Sequence, residues 1–471
     1  MGAAALPINA MKSLFSLALR LALAIGLLAG GSALTRSTGA ESATLEAGLA
    51  VRDVTPELPI WLAGYAARKQ PATNIDSRLL VQALALKNPT GERFVLVSLD
   101  NCEVNHAFTA PALEQIQSRH GLGPGEVMIV SSHTHSAPVL EQTLEGMYSM
   151  GPADKERVRG YSALLRSKLV EVVGAALADT QPALLAQGRG RATFAMNRRV
   201  YRDDRVDFGE NPDGPVDWDV PVLRISGTNG TARAVLFGYA CHGTSIQGDD
   251  FYIVSGDYMA YARQHLEALY PGVVAMYLTG MGADSNPSPR GSLLDSKRHG
   301  LELAGAVAGV LSHPLEPVRG PFRLAYTEVD LPLEDPPARG KLDQDAQSQD
   351  VYIRNRATAW LALLAAGKPM PGVRLPVGVV RLGRDLTFVA MGGEVVVDYA
   401  TRFKRLFAAD RPWLVGYAFE VPCYIPSARI IKEGGYEAQS SLIYYGIYGP
   451  FRCRVEEVLL EKMSELVARV R

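Results

Sequence analysis

Short unbroken apolar runs, each ending in small or chemically active residues, alternate along this chain with stretches whose apolar positions recur at helical spacing. The runs at 45–56, 79–86 and 94–99 predict strands, the last two joined by the turn Asn88-Pro89-Thr90-Gly91. The sequence VMIVSSHTHSAP at 127–138 predicts a strand covered on both faces, with Ser131 and Ser132 marking its exit. Further strands are expected at 220–225, 233–240, 273–278, 386–391 and 413–419. Helical periodicity is expected at 111–120, 155–177, 295–312, 395–408 and 451–470, and in a helix ending at Leu269 that Asp257 would cap. The stretch 331–375 is irregular, with a helix at 351–366, and reads as an excursion over the active-site face. Strand and helix in alternation predict an α/β fold: a mixed central sheet flanked by helices, with an active site at the ends of several strands.

Lys12 and Arg20, the apolar run 21–29 and the small residues 30–33 have the pattern of a secretory signal peptide. The run is about half of what spans a bilayer, and nothing after Ala33 is long and apolar enough to do so. The expected organisation is therefore a signal peptide and spacer at 1–40 and a single domain at 41–471, secreted or periplasmic after cleavage. Lys plus Arg number 48 against 49 Asp plus Glu, with no basic stripe interleaved with aromatics, so nucleic acid is not an expected partner. No protein partner is evident. Of the four cysteines, Cys423 can pair with Cys453 and Cys102 with Cys241, and none need pair at all.

The chemistry concentrates where strands end. His133 and His135 leave their strand on one side, as a metal-ligand or acid/base pair would, although an isolated HxH is also compatible with two hydrogen-bonded surface histidines. Asp100 ends the preceding strand, either to support a metal ligand or to cap a helix. His242 follows the run 233–240, and Glu394 follows 386–391 and two glycines. The loop 279–287, with its glycines, Asp284, Ser285 and Asn286, suits close approach to a ligand. If one sheet edge gathers His133, His242 and Glu394, they make the two-His, one-Glu set of a catalytic zinc with an open position for water.

With these motifs the chain, from about residue 45 onward, resembles the neutral (non-lysosomal) ceramidases, zinc amidases that split the N-acyl bond of ceramide. The carrying residues are His133-Thr134-His135-Ser136-Ala137-Pro138, Asn197-Arg198, His242, Gly393-Glu394 and Tyr436-Glu437-Ala438. The resemblance implies Zn2+ held by His133, His242, Glu394 and Tyr424, with His135, Arg198 and Tyr436 on the substrate side. It aligns the family's Gly-Asp-Val-Ser-Pro loop with 283–287, which places Asn286 at the serine position, able to donate a hydrogen bond to a developing oxyanion. It implies a small-molecule or lipid N-acyl substrate and peripheral membrane contact, and the chain is expected to match the family's catalytic domain without the C-terminal β-sandwich domain, which would begin where this sequence stops. The rival readings are a zinc hydrolase for a non-lipid amide and a non-catalytic metal- or lipid-binding protein with a vestigial site. A metal-dependent amidohydrolase barrel would need further late ligands, and a metallo-β-lactamase-like HxHxDH is broken by Ser136-Ala137.

Overall fold

The apolar runs become the strands of two sheets rather than one. A computed structural model describes residues 45–471, so the expected signal peptide and spacer lie outside the described residues. In chain order the main strands of the larger sheet are β1 (Glu46–Asp53), β2 (Leu80–Lys87), β3 (Arg93–Leu99), β4 (Val127–Ser131), β5 (Gln181–Arg191), β6 (Asp219–Gly227), β7 (Ala232–Tyr239) and β8 (Val274–Thr279). They lie in the order β8-β7-β6-β5-β1-β2-β3-β4, and the short strand Glu316–Val318 pairs with β5. The pairs β3–β4 and β7–β8 are parallel and the others antiparallel, so the sheet is mixed.

Although β4 and β8 stand at opposite ends of that order, the sheet curls until they meet. Only two residue pairs, Glu46↔Pro182 and Ala47↔Gln181, join β1 to β5, which leaves a narrow corner about which the halves fold. Polar side chains replace a backbone ladder across the join. Gln82 Nε2 donates to Ala275 O (2.9 Å), Ser98 Oγ to Tyr277 O (2.6 Å) and Thr279 Oγ1 to Ser131 O (2.7 Å). All three side chains are buried, so each bond satisfies groups that water cannot reach.

Helices α1 (His106–His120) and α2 (Pro152–Ala178) cover one face of β1 to β4 through a core that includes Val95, Val97, Phe108, Ile116, Leu165 and Leu169. Helices α3 (Asp257–Leu269) and α4 (Leu293–Leu311) cover the other half in the same way. The remaining face packs on a second sheet, β9 (Phe322–Leu331), β10 (Val373–Leu382), β11 (Leu386–Met391) and β12 (Pro412–Val415). Leu96, Met128, Leu236 and Met276 of the first sheet share a core with Phe388, Trp413 and Val415 of the second. After β9 comes α5 (Val351–Ala365); α6 (Val397–Leu406) and α7 (Val455–Val470) close the outer face of the second sheet.

The mixed α/β architecture agrees with the sequence pattern, with three local departures. The run 413–419 is strand only to Val415, because Tyr417 and Phe419 adopt left-handed backbone (φ 51° and 61°) that no strand admits. Asp257 is the first residue of α3 rather than its cap, and its Oδ2 accepts the Ser245 N–H at 2.9 Å. Asp100 neither reaches a metal ligand nor caps a helix; it is buried against Arg263, whose Nη1 donates to Oδ1 at 2.8 Å. All four cysteines are unpaired. Among the described residues no helix is long and apolar enough to cross a membrane.

Candidate metal centre

Each proposed ligand is delivered by a short, irregular pairing just beyond a main strand. Past β4 and β7 the chains bridge in parallel at Thr134 and Gly243, and the His135 N–H donates to Gly243 O at 3.0 Å. The approach is so close that a Cβ at position 243 would lie 2.6 Å from His133 O, which accounts for glycine there. Past β11 the two-residue strand Glu394–Val395 runs parallel to Tyr424–Ile425, with Glu394 opposite Tyr424. Gly393 turns the chain into that strand at φ 78°, where a Cβ would also meet Cys423 O at 2.9 Å. On the third side Ser285–Pro287 pairs antiparallel with Ala195–Tyr201, which brings Asn286 beside Arg198.

These pairings bring His133, His242 and Glu394 together, all buried. Glu394 Oε2 lies 3.2 Å from His133 Nε2 and 3.2 Å from His242 Nε2. His133 Nδ1 is 2.8 Å from Cys102 O, and a carbonyl only accepts, so the Nδ1 proton is fixed and Nε2 turns its lone pair toward the carboxylate. Two acceptors at that distance repel unless a proton or a cation lies between them. Burial first, then Arg198 and His133, pull His242 down to about pKa 3, so it stays neutral and ligand-competent. Burial alone would raise the Glu394 carboxyl; His133 and His242 hold it well below the usual range wherever one of them presents a proton to it. Donors around a tetrahedral zinc, with bonds of about 2.0–2.1 Å, stand about 3.3 Å apart. The residues therefore fit such an ion.

The other residues singled out in the sequence border this cluster. The Tyr424 hydroxyl is 3.2 Å from His242 Nε2 and accepts from Arg198 Nη2 at 3.0 Å. His135 Nε2 is 3.1 Å from His133 Nε2, and burial together with both other histidines keeps His135 neutral. Arg198 Nη1 is 3.1 Å from His242 Nε2 and donates to Asn286 Oδ1 at 3.3 Å. Thr244 Oγ1 also donates to that oxygen, at 3.2 Å. Because a guanidinium can only donate, the Asn286 carbonyl must face it, which leaves the amide N–H2 free to donate elsewhere. Tyr436 packs edge-on against Tyr424, centroids 5.4 Å apart, and under the Arg198 guanidinium at 5.5 Å.

Several residues of the site were assigned no role from the sequence, although Glu437 lies within the Tyr436-Glu437-Ala438 motif. Tyr417 donates to Glu394 Oε2 at 3.2 Å and Tyr445 to Oε1 at 2.6 Å. The Tyr445 hydroxyl is also 3.1 Å from Glu103, whose carboxyl burial and the Glu394 charge push well above the usual range. Glu437 takes Arg198 Nε at 2.8 Å and Arg199 Nη1 at 2.6 Å, fixing the guanidinium that faces His242. Glu103 stands only three residues past Asp100, so the strand tip was the right place and the wrong carboxylate. Helix α5 supports the Tyr445 loop, with Trp360 Nε1 donating to Gly446 O at 2.8 Å. A groove of about 920 Å³ lined by Gln187 to Arg191 and Lys404 lies elsewhere; Arg189 is paired with Asp219, Lys404 with Asp217 and Arg411 with Glu316, and Arg191 lies over the Trp218 ring.

Comparison with known proteins identifies the class. The family described as neutral/alkaline non-lysosomal ceramidase, N-terminal, matches residues 45–280. The chain belongs to this family. It is 27% identical over 273 residues to neutral ceramidase B of Dictyostelium discoideum, an alignment covering 54% of this chain and 37% of that protein. It is 33% identical over 94 residues to the neutral ceramidase of Oryza sativa, covering 19% of this chain and 12% of that one. The matches thus span well under half the length of these relatives. The fold is similar to that of the crystal structure of neutral ceramidase from Pseudomonas aeruginosa, with a TM-score of 0.69 at 19% identity over 90% of this chain and 74% of that one. A ceramidase complexed with C2 is similar at a TM-score of 0.67 and 18% identity, over 91% and 75%.

Proposed function

We propose that the chain is an exported, zinc-dependent hydrolase that cleaves the amide bond of a ceramide-like or other N-acyl substrate. The observation that carries this reading is the convergence of His133 Nε2, His242 Nε2 and Glu394 Oε2, at 3.2 Å from the carboxylate oxygen, beside an anchored guanidinium. His133, His242, Glu394 and Tyr424 would hold the ion. The chemistry it supplies when bound is Lewis acidity and an activated water at neutral pH.

In the net reaction the water oxygen bonds to the acyl carbon, the C–N bond breaks, and the amine nitrogen takes a proton. Negative charge grows on the carbonyl oxygen as the first bond forms. Arg198, with Nη1 toward the site, and the free amide of Asn286 are the donors placed to meet it. His135, kept neutral, serves the substrate as a hydrogen-bonding partner, and Tyr436 packs beside Tyr424 at the edge of the site. Amide hydrolysis of ceramide by the named relatives supports a lipid N-acyl substrate here. The pattern of residues 12–33 supports export. The test is metal analysis of purified protein together with hydrolysis of N-acyl amides including ceramide. About one zinc per chain and zinc-dependent release of fatty acid are expected; a metal-free or inactive protein defeats the reading.

A further inference from the structure

The partly exposed residues around the buried site mark its mouth, and one of them is a cation without an ion-pair partner among the described residues. Tyr65 stands edge-on to His135 with centroids 4.8 Å apart, and Gln247 donates to its hydroxyl at 3.3 Å. Phe208 leaves half its surface open (51%) and packs against Tyr436 at 5.8 Å. The Phe208 ring carries two guanidinium groups: Arg198 at 4.8 Å from its centroid and Arg290 at 5.8 Å. Arg290 follows Asn286 by four residues, and the next residue, Gly291, is tied by its N–H to Ser245 O at 2.8 Å, three residues past His242.

The two cations differ in what they hold. Arg198 is paired with Glu437 and Tyr424. Arg290 has no hydrogen bond or ion pair among the described residues, although it is partly buried. Glu210, near Phe208 in the chain, instead accepts the Ser288 hydroxyl at 2.9 Å. Burial lowers the Arg290 pKa most and Arg198 adds to this, while Tyr65, Cys241 and Glu210 oppose the shift without reversing it. A half-desolvated guanidinium beside a second one is unfavourable until an anion arrives, and planar carboxylate is the group its fork fits.

We infer that the substrate of this site carries an anionic group, a carboxylate or its equivalent, which Arg290 receives at the mouth while the amide reaches Arg198 and Asn286. This makes the substrate class an anionic N-acyl amine rather than a neutral ceramide. The inference rests on the amide-hydrolase reading and is tested separately from it.

Binding is measured by calorimetry with N-(dodecylsulfonyl)glycine, which cannot be hydrolysed as an amide, against its neutral counterpart N-(dodecylsulfonyl)ethanolamine. The wild type should favour the anion, and Arg290→Gln should lower that preference about tenfold to a hundredfold, as expected for one charge-assisted contact. Arg290→Lys should restore part of it, and unchanged melting of both variants excludes misfolding. Equal binding of the two probes by the wild type, or an unchanged preference in Arg290→Gln, overturns the inference whatever the protein hydrolyses. Hydrolysis is then compared for N-lauroylglycine, with the anion on the amine side, a succinyl dodecylamide, with it on the acyl side, and C12 ceramide. Faster cleavage of either anionic probe supports the inference and says which side carries the charge; ceramide cleaved best overturns it. If none is cleaved, the hydrolase reading fails while the binding result still decides on Arg290.

Discussion

The Tyr445 hydroxyl lies 2.6 Å from Glu394 and 3.1 Å from Glu103, so a single phenol bridges a proposed metal ligand and a buried carboxyl. Its one proton can serve only one of them, and the shorter contact assigns it to Glu394. The Glu103 contact then requires Glu103 to be protonated, in keeping with its raised pKa. Tyr445→Phe frees the Glu394 carboxylate to rotate. Zinc affinity should fall about tenfold to a hundredfold, as it does when a partner behind a ligand is lost. Competition with a calibrated chelator measures this, and an unchanged affinity would leave Tyr445 a packing residue only.

His133→Ala removes one of the three converging donors and should abolish both bound zinc and turnover. Its Nδ1 contact to Cys102 O is also lost, leaving a buried carbonyl without that partner, so stability should drop by about 1–3 kcal/mol without unfolding the protein. Elemental analysis beside circular dichroism checks both parts. Full zinc content in this variant would place the metal elsewhere.

Arg198→Lys keeps a charge but cannot reach Glu437, His242, Asn286 and Tyr424 at once. Turnover should fall about a hundredfold to a thousandfold, in line with loss of one oxyanion donor, with zinc content retained. Asn286→Ala should act in the same direction on kcat. A change confined to KM in both variants would move them from charge stabilisation to plain binding.

Asp284 offers a prediction independent of metal. Burial raises its carboxyl from 3.8 to about 6, although Val397 N and Asn197 Nδ2 donate to it at 2.8 and 3.2 Å. The folded pKa exceeds the unfolded one, so the native state holds the proton more tightly. The associated stability is complete below about pH 4 and is lost as pH rises through about 6, an effect of at most about 3 kcal/mol. Urea unfolding of wild type and Asp284→Asn across this range should show the difference shrinking for the mutant. Parallel pH curves would refute the shift.

Much of this was legible in the sequence because strand tips declare themselves. An apolar run that stops at a histidine or a Gly-Gly-Glu gives both the element and the residue it presents, and His133, His242 and Glu394 were each found that way. What the runs do not encode is which sheet they join. Residues 386–391 look like another central strand, yet β11 belongs to the second sheet, because an apolar strand buried on both faces has the same pattern in either place. The curl that brings β4 to β8 depends on Gln82, Ser98 and Thr279, isolated polar residues within otherwise apolar strands. Tyr417 and Tyr445 escaped notice because a tyrosine in a loop has no periodicity to betray its target.

The two sheets divide the chain cleanly at the exposed turn formed by residues 319–321. The piece before it carries the curled sheet with His133 and His242, and the piece after it carries the four-stranded sheet with Glu394 and Tyr424. Neither fragment holds a full donor set. The ion would thus act as a rivet between separately encoded halves, adding to the core that they share, and a protein nicked at that turn should resist denaturant better in zinc than in chelator.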